Sequence, residues 1–131
     1  MEDTHEKLLE KYRVHEMFID CYIRSFEDRG EDGETPLHLA ALNGELDDLL
    51  LMLPTIANID TPGGIGHTAL HYAIMFGHAS IVDVLLEHGA SLSIQNEYGD
   101  RPFDLLRHNR ADMLATILKH RPDSVYRENP A

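Results

Sequence analysis

Apolar residues recur along this chain in pairs of short segments that have helical spacing and are separated by glycine or proline. In the first pair, apolar residues between Leu37 and Ala41 are followed by Gly44. A second set then precedes Pro54, at positions Leu46, Leu49, Leu50, Met52 and Leu53. This spacing places the apolar side chains on one face of each helix, and glycine or proline ends a helix. The pattern therefore predicts two short helices joined by a tight turn.

The same pattern returns at a fixed interval. Thr35-Pro36-Leu37-His38 recurs 33 residues later as Thr68-Ala69-Leu70-His71, and a weaker copy, Arg101-Pro102-Phe103-Asp104, follows after another 33 residues. In the two clean copies the threonine hydroxyl is suited to cap the first helix. Self-similarity at this period is typical of a solenoid, in which each unit buries its apolar face against its neighbours.

The period divides the chain into segments. We predict an N-terminal helical cap at 1–30, full units at 31–63 and 64–96, a C-terminal capping unit at 97–120 and a flexible tail at 121–131. Terminal units of solenoids are expected to be atypical because their outer face meets water. The predicted inward face of the last unit consists of Phe103, Leu105, Leu106, Met113, Leu114, Ile117 and Leu118.

The repeated unit resembles the ankyrin repeat. The resemblance rests on Asp32-Gly33-Glu34-Thr35-Pro36-Leu37-His38-Leu39-Ala40-Ala41, on Gly66-His67-Thr68-Ala69-Leu70-His71-Tyr72-Ala73 and on Ile81-Val82-Asp83-Val84-Leu85-Leu86-Glu87-His88-Gly89-Ala90. It implies an all-α solenoid of helix–turn–helix units with β-turn connections. It also implies that His38 and His71 are structural, forming a hydrogen-bonded bridge between turn and helix. The chain departs from the family pattern at Asp48, where Ile or Val is usual, and at Ile56, where Gly is usual.

The first 30 residues carry no repeat signature but have amphipathic character. One long helix or two short ones would place a set of apolar side chains on one side: Leu8, Leu9, Tyr12, Met17, Phe18, Cys21, Tyr22 and Phe26. This segment either covers the exposed flank of the first unit or docks on another protein. The sequence leaves both open.

Candidate catalytic chemistry is sparse. The single cysteine excludes a Cys-x₂-Cys pair, and we do not expect the nine histidines to form a metal site. We expect His67, His71 and His78 to fall on different faces and Cys21 to be a buried core residue. Gly63-Gly64-Ile65-Gly66 lacks the Lys-Ser/Thr of a phosphate loop and is read as a turn. We therefore predict no enzyme activity, no catalytic residues, no cofactor and no metal.

Charge is distributed unevenly. The formal net charge is −12, and residues 30–100 contain eleven acidic residues with no lysine or arginine. Such a surface disfavours nucleic acid and anionic membranes and favours a basic protein partner. A single cysteine and a polar N-terminus lead us to expect a cytoplasmic protein, or one of another reducing intracellular compartment.

The resemblance implies a binding surface on the concave side, built from turn tips and the exposed ends of inner helices. Carried over residue by residue, the surface comprises Asp32, Glu34, Leu42, Asn43, Ile65, His67, Met75, Phe76, Tyr98, Asp100, His108 and Asn109. We expect a protein–protein interaction module with an apolar strip beside acidic residues. Two alternatives stay open: an acidic inhibitor or immunity protein that blocks a basic protein's nucleic-acid or active site, and a regulatory part of an enzyme complex. The oligomeric state is not predicted.

Overall fold

A computed structural model describes residues 4–107 and 110–121, and these residues form helices and turns without a strand. The helices are α1 (Thr4–Arg13), α2 (Pro36–Asn43), α3 (Leu46–Met52), α4 (Ala69–Met75), α5 (Ala79–Glu87) and α6 (Arg110–His120). Short 3-10 turns lie at Leu53–Thr55, Gly64–Gly66 and Pro102–Leu105. The predicted all-α class is confirmed. The predicted tail from residue 122 onward lies outside the described residues.

The helices stack in two layers that follow the period. The inner layer runs from α2 to α4 and on to the 3-10 turn Pro102–Leu105, while α3, α5 and α6 form the outer layer. The core is continuous along the stack, with Leu49 and Met52 in the first unit, Ile74 and Leu85 in the second and Ile117 in the last. Full burial of each such side chain contributes about 1.5–3 kcal/mol, so the stack is held together mainly by contacts between units.

The predicted helix caps are present. Thr35 Oγ1 accepts a hydrogen bond from the His38 amide, and Pro36 occupies the first turn, where a missing N–H costs little. Thr68 caps α4 in the same way, through the amide of His71. Gly44 ends α2 in the left-handed conformation at φ 74°, which a residue without a Cβ adopts easily.

Two predicted apolar faces need correction. Leu50 and Leu118 were expected to point inward but are exposed. In α3 and α6 the core contacts are made by Leu49 with Met52 and by Met113 with Ile117. Leu50 and Leu118 each follow a core residue and are turned about 100° from it around the helix axis, which takes them out of the core.

The N-terminal segment forms one short helix, α1, followed by turns rather than a second helix. It covers the first unit with Leu8, Leu9, Tyr12, Phe18, Ile23 and Phe26, all buried. Cys21 is only half-buried and Tyr22 is 72% exposed, contrary to the amphipathic pattern. The Arg13 guanidinium lies 4.4 Å from the centre of the Tyr22 ring, which accounts for an aromatic side chain at the surface.

Candidate functional site

Two buried histidines fix the positions of the turn tips. His38 Nδ1 accepts a hydrogen bond from the Thr35 amide (3.0 Å), and its Nε2 lies 2.9 Å from the Thr61 carbonyl oxygen in the next turn. His71 repeats this arrangement with the Thr68 amide and the Asp100 carbonyl oxygen, each at 2.9 Å. A carbonyl can only accept, so each Nε2 carries the proton. The histidines link successive units and are structural, as the resemblance implies.

The turn tips lie at residues 30–34, 63–67 and 96–100, and each is closed by the same type of backbone hydrogen bond. Gly30 donates to the carbonyl of Glu34 and Gly63 to that of His67, both at 2.8 Å, and Asn96 to that of Asp100 at 2.9 Å. In the third unit, Asp104 Oδ2 accepts from the Arg101 amide at 2.8 Å. In this unit the Asp104 carboxylate thus accepts the backbone hydrogen bond that the histidine Nδ1 accepts in the first two units.

Three apolar side chains of the predicted surface are exposed to solvent, two at the turn tips and one at the end of α4. Ile65 is 45% exposed, Phe76 46% and Tyr98 75%. The tips that carry Ile65 and Tyr98 are adjacent, because the Glu97 amide donates to the Ile65 carbonyl oxygen at 2.8 Å. Leu42 and Met75 are half-buried, and Asn43 is exposed. His108 and Asn109 lie outside the described residues.

Ile65 has a φ of 65°, and it is the non-glycine residue with positive φ in the described part of the chain. A β-branched residue is disfavoured in this left-handed region by about 1–2 kcal/mol. The strain is retained at an exposed apolar position. Such outliers concentrate at functional positions, which singles out Ile65 within the predicted surface.

Glu34 was expected to be an exposed acid beside the apolar strip, but it is buried. Its side chain turns inward across the boundary between units, and the Gly64 amide donates to its Oε1. Its Oε2 is buried and has no hydrogen-bond partner within the described residues. Asp32 remains exposed and Asp100 is half-exposed, so the acidic rim is smaller than predicted.

His67 is also buried rather than displayed. Its Nδ1 lies 3.3 Å from Asn96 Nδ2, and its ring packs 5.4 Å from His71 and 5.0 Å from Tyr72 between ring centres. The expectation that His67 and His71 lie on different faces is therefore wrong. Burial lowers the pKa of both imidazoles. Across residues 4–107 and 110–121, no group of three or more His, Cys, Asp or Glu side chains is placed to hold a metal ion.

A groove of about 420 Å³ opens beside the first two tips. It is lined by Met17, Asp32, Glu34, Leu42, Gly64, Ile65 and Tyr72. Met17, Gly64 and Tyr72 were not among the predicted surface residues. Tyr72 follows the motif histidine and so occupies an inner-helix position that could have been flagged. Met17 had no such signal, since its placement depends on how the N-terminal turns fold back.

Stacked helix–turn–helix units with histidine-bridged turns define this chain as a helical-repeat protein. A sequence profile described as "Ankyrin repeats (3 copies)" matches residues 6–96, and the chain belongs to the ankyrin repeat family.

Several proteins contain stretches similar to this chain. It is 36% identical to mouse Rabankyrin-5 over 78 residues, covering 59% of this chain and 7% of the relative. It is 36% identical to human Palmitoyltransferase ZDHHC13 over 92 residues, covering 67% and 14%. It is 38% identical to mouse Ankyrin repeat and SAM domain-containing protein 6 over 76 residues, covering 57% and 9%. The chain therefore spans only a small part of each of these relatives.

Ankyrin repeats are non-catalytic modules that generally mediate protein–protein interaction. The similarity to the palmitoyltransferase concerns its ankyrin region and brings no transferase chemistry to this chain. Within the residues that the structure describes, no helix is both long and apolar enough to cross a membrane.

Proposed function

We propose that this chain binds a protein segment on its concave face, and that the segment carries lysine or arginine next to an apolar side chain. The binding strip consists of Leu42, Ile65, Met75, Phe76 and Tyr98, with Asp32 and Asp100 at its edge. The observation that carries the proposal is the exposure of Ile65 and Tyr98 at two adjacent turn tips and of Phe76 at the end of α4. Apolar side chains rimmed by polar ones mark an interaction surface.

Charge supports a basic partner. Residues 30–100 contain no lysine or arginine, so the acidic side chains between Arg29 and Arg101 have no lysine or arginine within the same segment. Arg29 donates through Nη1 to the carbonyls of Gly33 and Pro62, at 2.7 Å each. A complementary basic segment would be attracted from a distance, which raises the association rate more than the affinity.

The proposal can be tested with a displayed library of random peptides selected on the full chain. We expect enriched peptides to combine a basic residue with an aliphatic or aromatic one. Phe76→Ala and Asp100→Lys should each weaken binding of a selected peptide by about tenfold, as the loss of a well-packed or charged contact does. Leu118→Ala and Glu87→Gln, which change exposed residues of α6 and α5, serve as matched controls. Unchanged binding in both test variants would refute the proposal that the binding strip holds the partner.

A second candidate, an acidic inhibitor of a basic nucleic-acid-binding protein, is favoured by the block of eleven acidic residues in 30–100. In that case a captured basic partner would release DNA or RNA when this chain binds, and the effect would weaken steeply with salt. A partner that holds nucleic acid and this chain at the same time would exclude the inhibitor function.

A further inference from the structure

The binding strip does not account for the burial of the Glu34 carboxylate next to it. The residue is 6% exposed. Its Oε1 accepts the Gly64 amide, while Oε2 is buried without a partner in the described part of the chain. A buried carboxylate oxygen that lacks a donor costs free energy, so native proteins normally satisfy it. A donor supplied by a bound partner would remove this cost.

The backbone makes room for this carboxylate. A Cβ at Gly63 would lie 2.7 Å from Glu34 Oε1 and 2.9 Å from Oε2, and one at Gly64 would lie 2.9 Å from Oε1. All three distances are too short for a side chain while Glu34 keeps this position. The two glycines therefore allow the Glu34 side chain to cross from the first unit to the second, where it reaches the wall of the groove.

The groove has an apolar wall and an acidic end. Met17, Leu42, Ile65 and Tyr72 supply the apolar surface, and exposed Asp32 stands at the rim. Burial and the neighbouring Glu34 carboxylate raise the pKa of Tyr72, so its hydroxyl stays protonated. The adjacent cation, Arg29, is bonded to two backbone carbonyls instead of to either acid.

The geometry points to a pocket for one lysine side chain of the bound segment, an inference that rests on the proposed function. The aliphatic stem would lie along Met17, Leu42 and Ile65, because lysine stems cover apolar surface while the charged end finds polar partners. The ammonium would sit between Asp32 and Glu34 Oε2. Glu34 lines the groove, so its carboxylate is within reach of an ammonium bound there.

Lysine fits better than arginine for a geometric reason. Arginine binds a carboxylate best through two parallel bonds, one to each oxygen. Glu34 Oε1 is already used by the Gly64 amide, which leaves a single oxygen. A compact ammonium requires only that one acceptor. The pocket should therefore discriminate between the two basic residues.

The experiment uses a peptide selected on the full chain, synthesised with its key basic residue as lysine, arginine or uncharged norleucine. On the wild-type chain we expect norleucine to weaken binding by about tenfold or more, and arginine by less, as for a desolvated charge pair. On Glu34→Gln the lysine and norleucine peptides should differ by no more than about threefold. Glu87→Gln, an exposed acid on α5, should behave as wild type.

One further readout and one further variant make the test independent of whether Glu34→Gln folds. The Gly64 amide donates to the same carboxylate, so its proton resonance should shift when the lysine peptide binds and not when the norleucine peptide binds. If Glu34→Gln fails to fold, Asp32→Asn at the exposed rim provides the second variant and should also reduce the lysine preference.

The outcomes separate the two proposals. Selected peptides that depend on Phe76 yet bind equally well with norleucine would refute the lysine pocket and leave the binding strip standing. An equal loss on norleucine substitution in wild type and Glu34→Gln would refute the pocket as well. Failure to select any peptide would refute the proposed function and, with it, the pocket.

Discussion

The Tyr12 hydroxyl donates a 2.8 Å hydrogen bond to Asp48 Oδ2, and Lys11 Nζ lies 2.7 Å from the same oxygen. This contact joins α1 to α3 and explains why an acidic residue stands where the family pattern has Ile or Val. The carboxylate is largely covered, with 14% of its side chain exposed. The departure from the pattern is therefore compensated by the N-terminal segment.

Tyr12→Phe should destabilise the fold by about 1–2 kcal/mol, because it removes a hydrogen bond to a charged acceptor. Asp48→Val alone should cost a similar amount, since it leaves the buried Tyr12 hydroxyl without its partner. The double variant should lose less unfolding free energy than the sum of the two single losses, because neither polar group is left without a partner. Chemical unfolding of the four proteins measures the coupling, and strictly additive values would show that the contact contributes nothing.

Stability should fall as the pH drops below about 6.5. Burial lowers the pKa of His38 and His71 from the ordinary value of 6.5, so the folded state binds fewer protons than the unfolded state in this range. The stability that each histidine contributes is complete above its pKa in the unfolded state. It is lost as the pH falls from that value toward the pKa in the folded state, by about 1.4 kcal/mol of unfolding free energy per pH unit. Unfolding curves at pH 7.5, 6.5 and 5.5 test this.

A variant and one other titrating group, Asp83, serve as controls for the pH effect. His71→Gln should be less stable at pH 7.5 but should lose less stability on acidification. Asp83, whose pKa is lowered by hydrogen bonds from His120 and Lys119, contributes stability that is lost only below about pH 3.8. A stability that rises between pH 7.5 and 5.5 would contradict the assignment of His38 and His71 as buried neutral bridges.

Ile65→Asn should separate stability from binding. Asparagine tolerates the left-handed conformation, so the change relieves about 1–2 kcal/mol of backbone strain. It also loses the partial burial of the isoleucine, worth about 1 kcal/mol. The melting temperature should therefore stay close to that of the wild type, whereas peptide affinity should fall. A large loss of stability with unchanged binding would instead make Ile65 a structural residue.

Gly30→Ala should destabilise the N-terminal cap by about 1–3 kcal/mol, as overpacking does. The added Cβ would lie 2.5 Å from the Met17 carbonyl oxygen and 2.9 Å from the Phe18 ring. Gly99→Asn is a suitable control, because a Cβ there meets nothing within 4 Å and asparagine tolerates its φ of 83°. Thermal unfolding followed by circular dichroism compares them, and equal stability would show that residues 14–30 rearrange freely.

Local rules predicted most of the fold. Capping by Thr35 and Thr68, the left-handed Gly44 and the core positions of α4 and α5 follow from helical spacing and backbone preference. The third unit was harder, because its first helix shortens to one 3-10 turn and Asp104 takes over from histidine. The exposure expected for two residues of the predicted surface was wrong, since Glu34 and His67 are buried.

The sequence by itself determined the 33-residue period, the helix pairs and the acidic, lysine-free stretch between Arg29 and Arg101, because these depend on residues close together in the chain. Only the tertiary structure decided which acids face water. Asp32 and Glu34 are two residues apart, yet the first is exposed and the second contacts Gly64, 30 positions away. That difference comes from the stacking of units, which brings distant segments together and buries whatever lies between them.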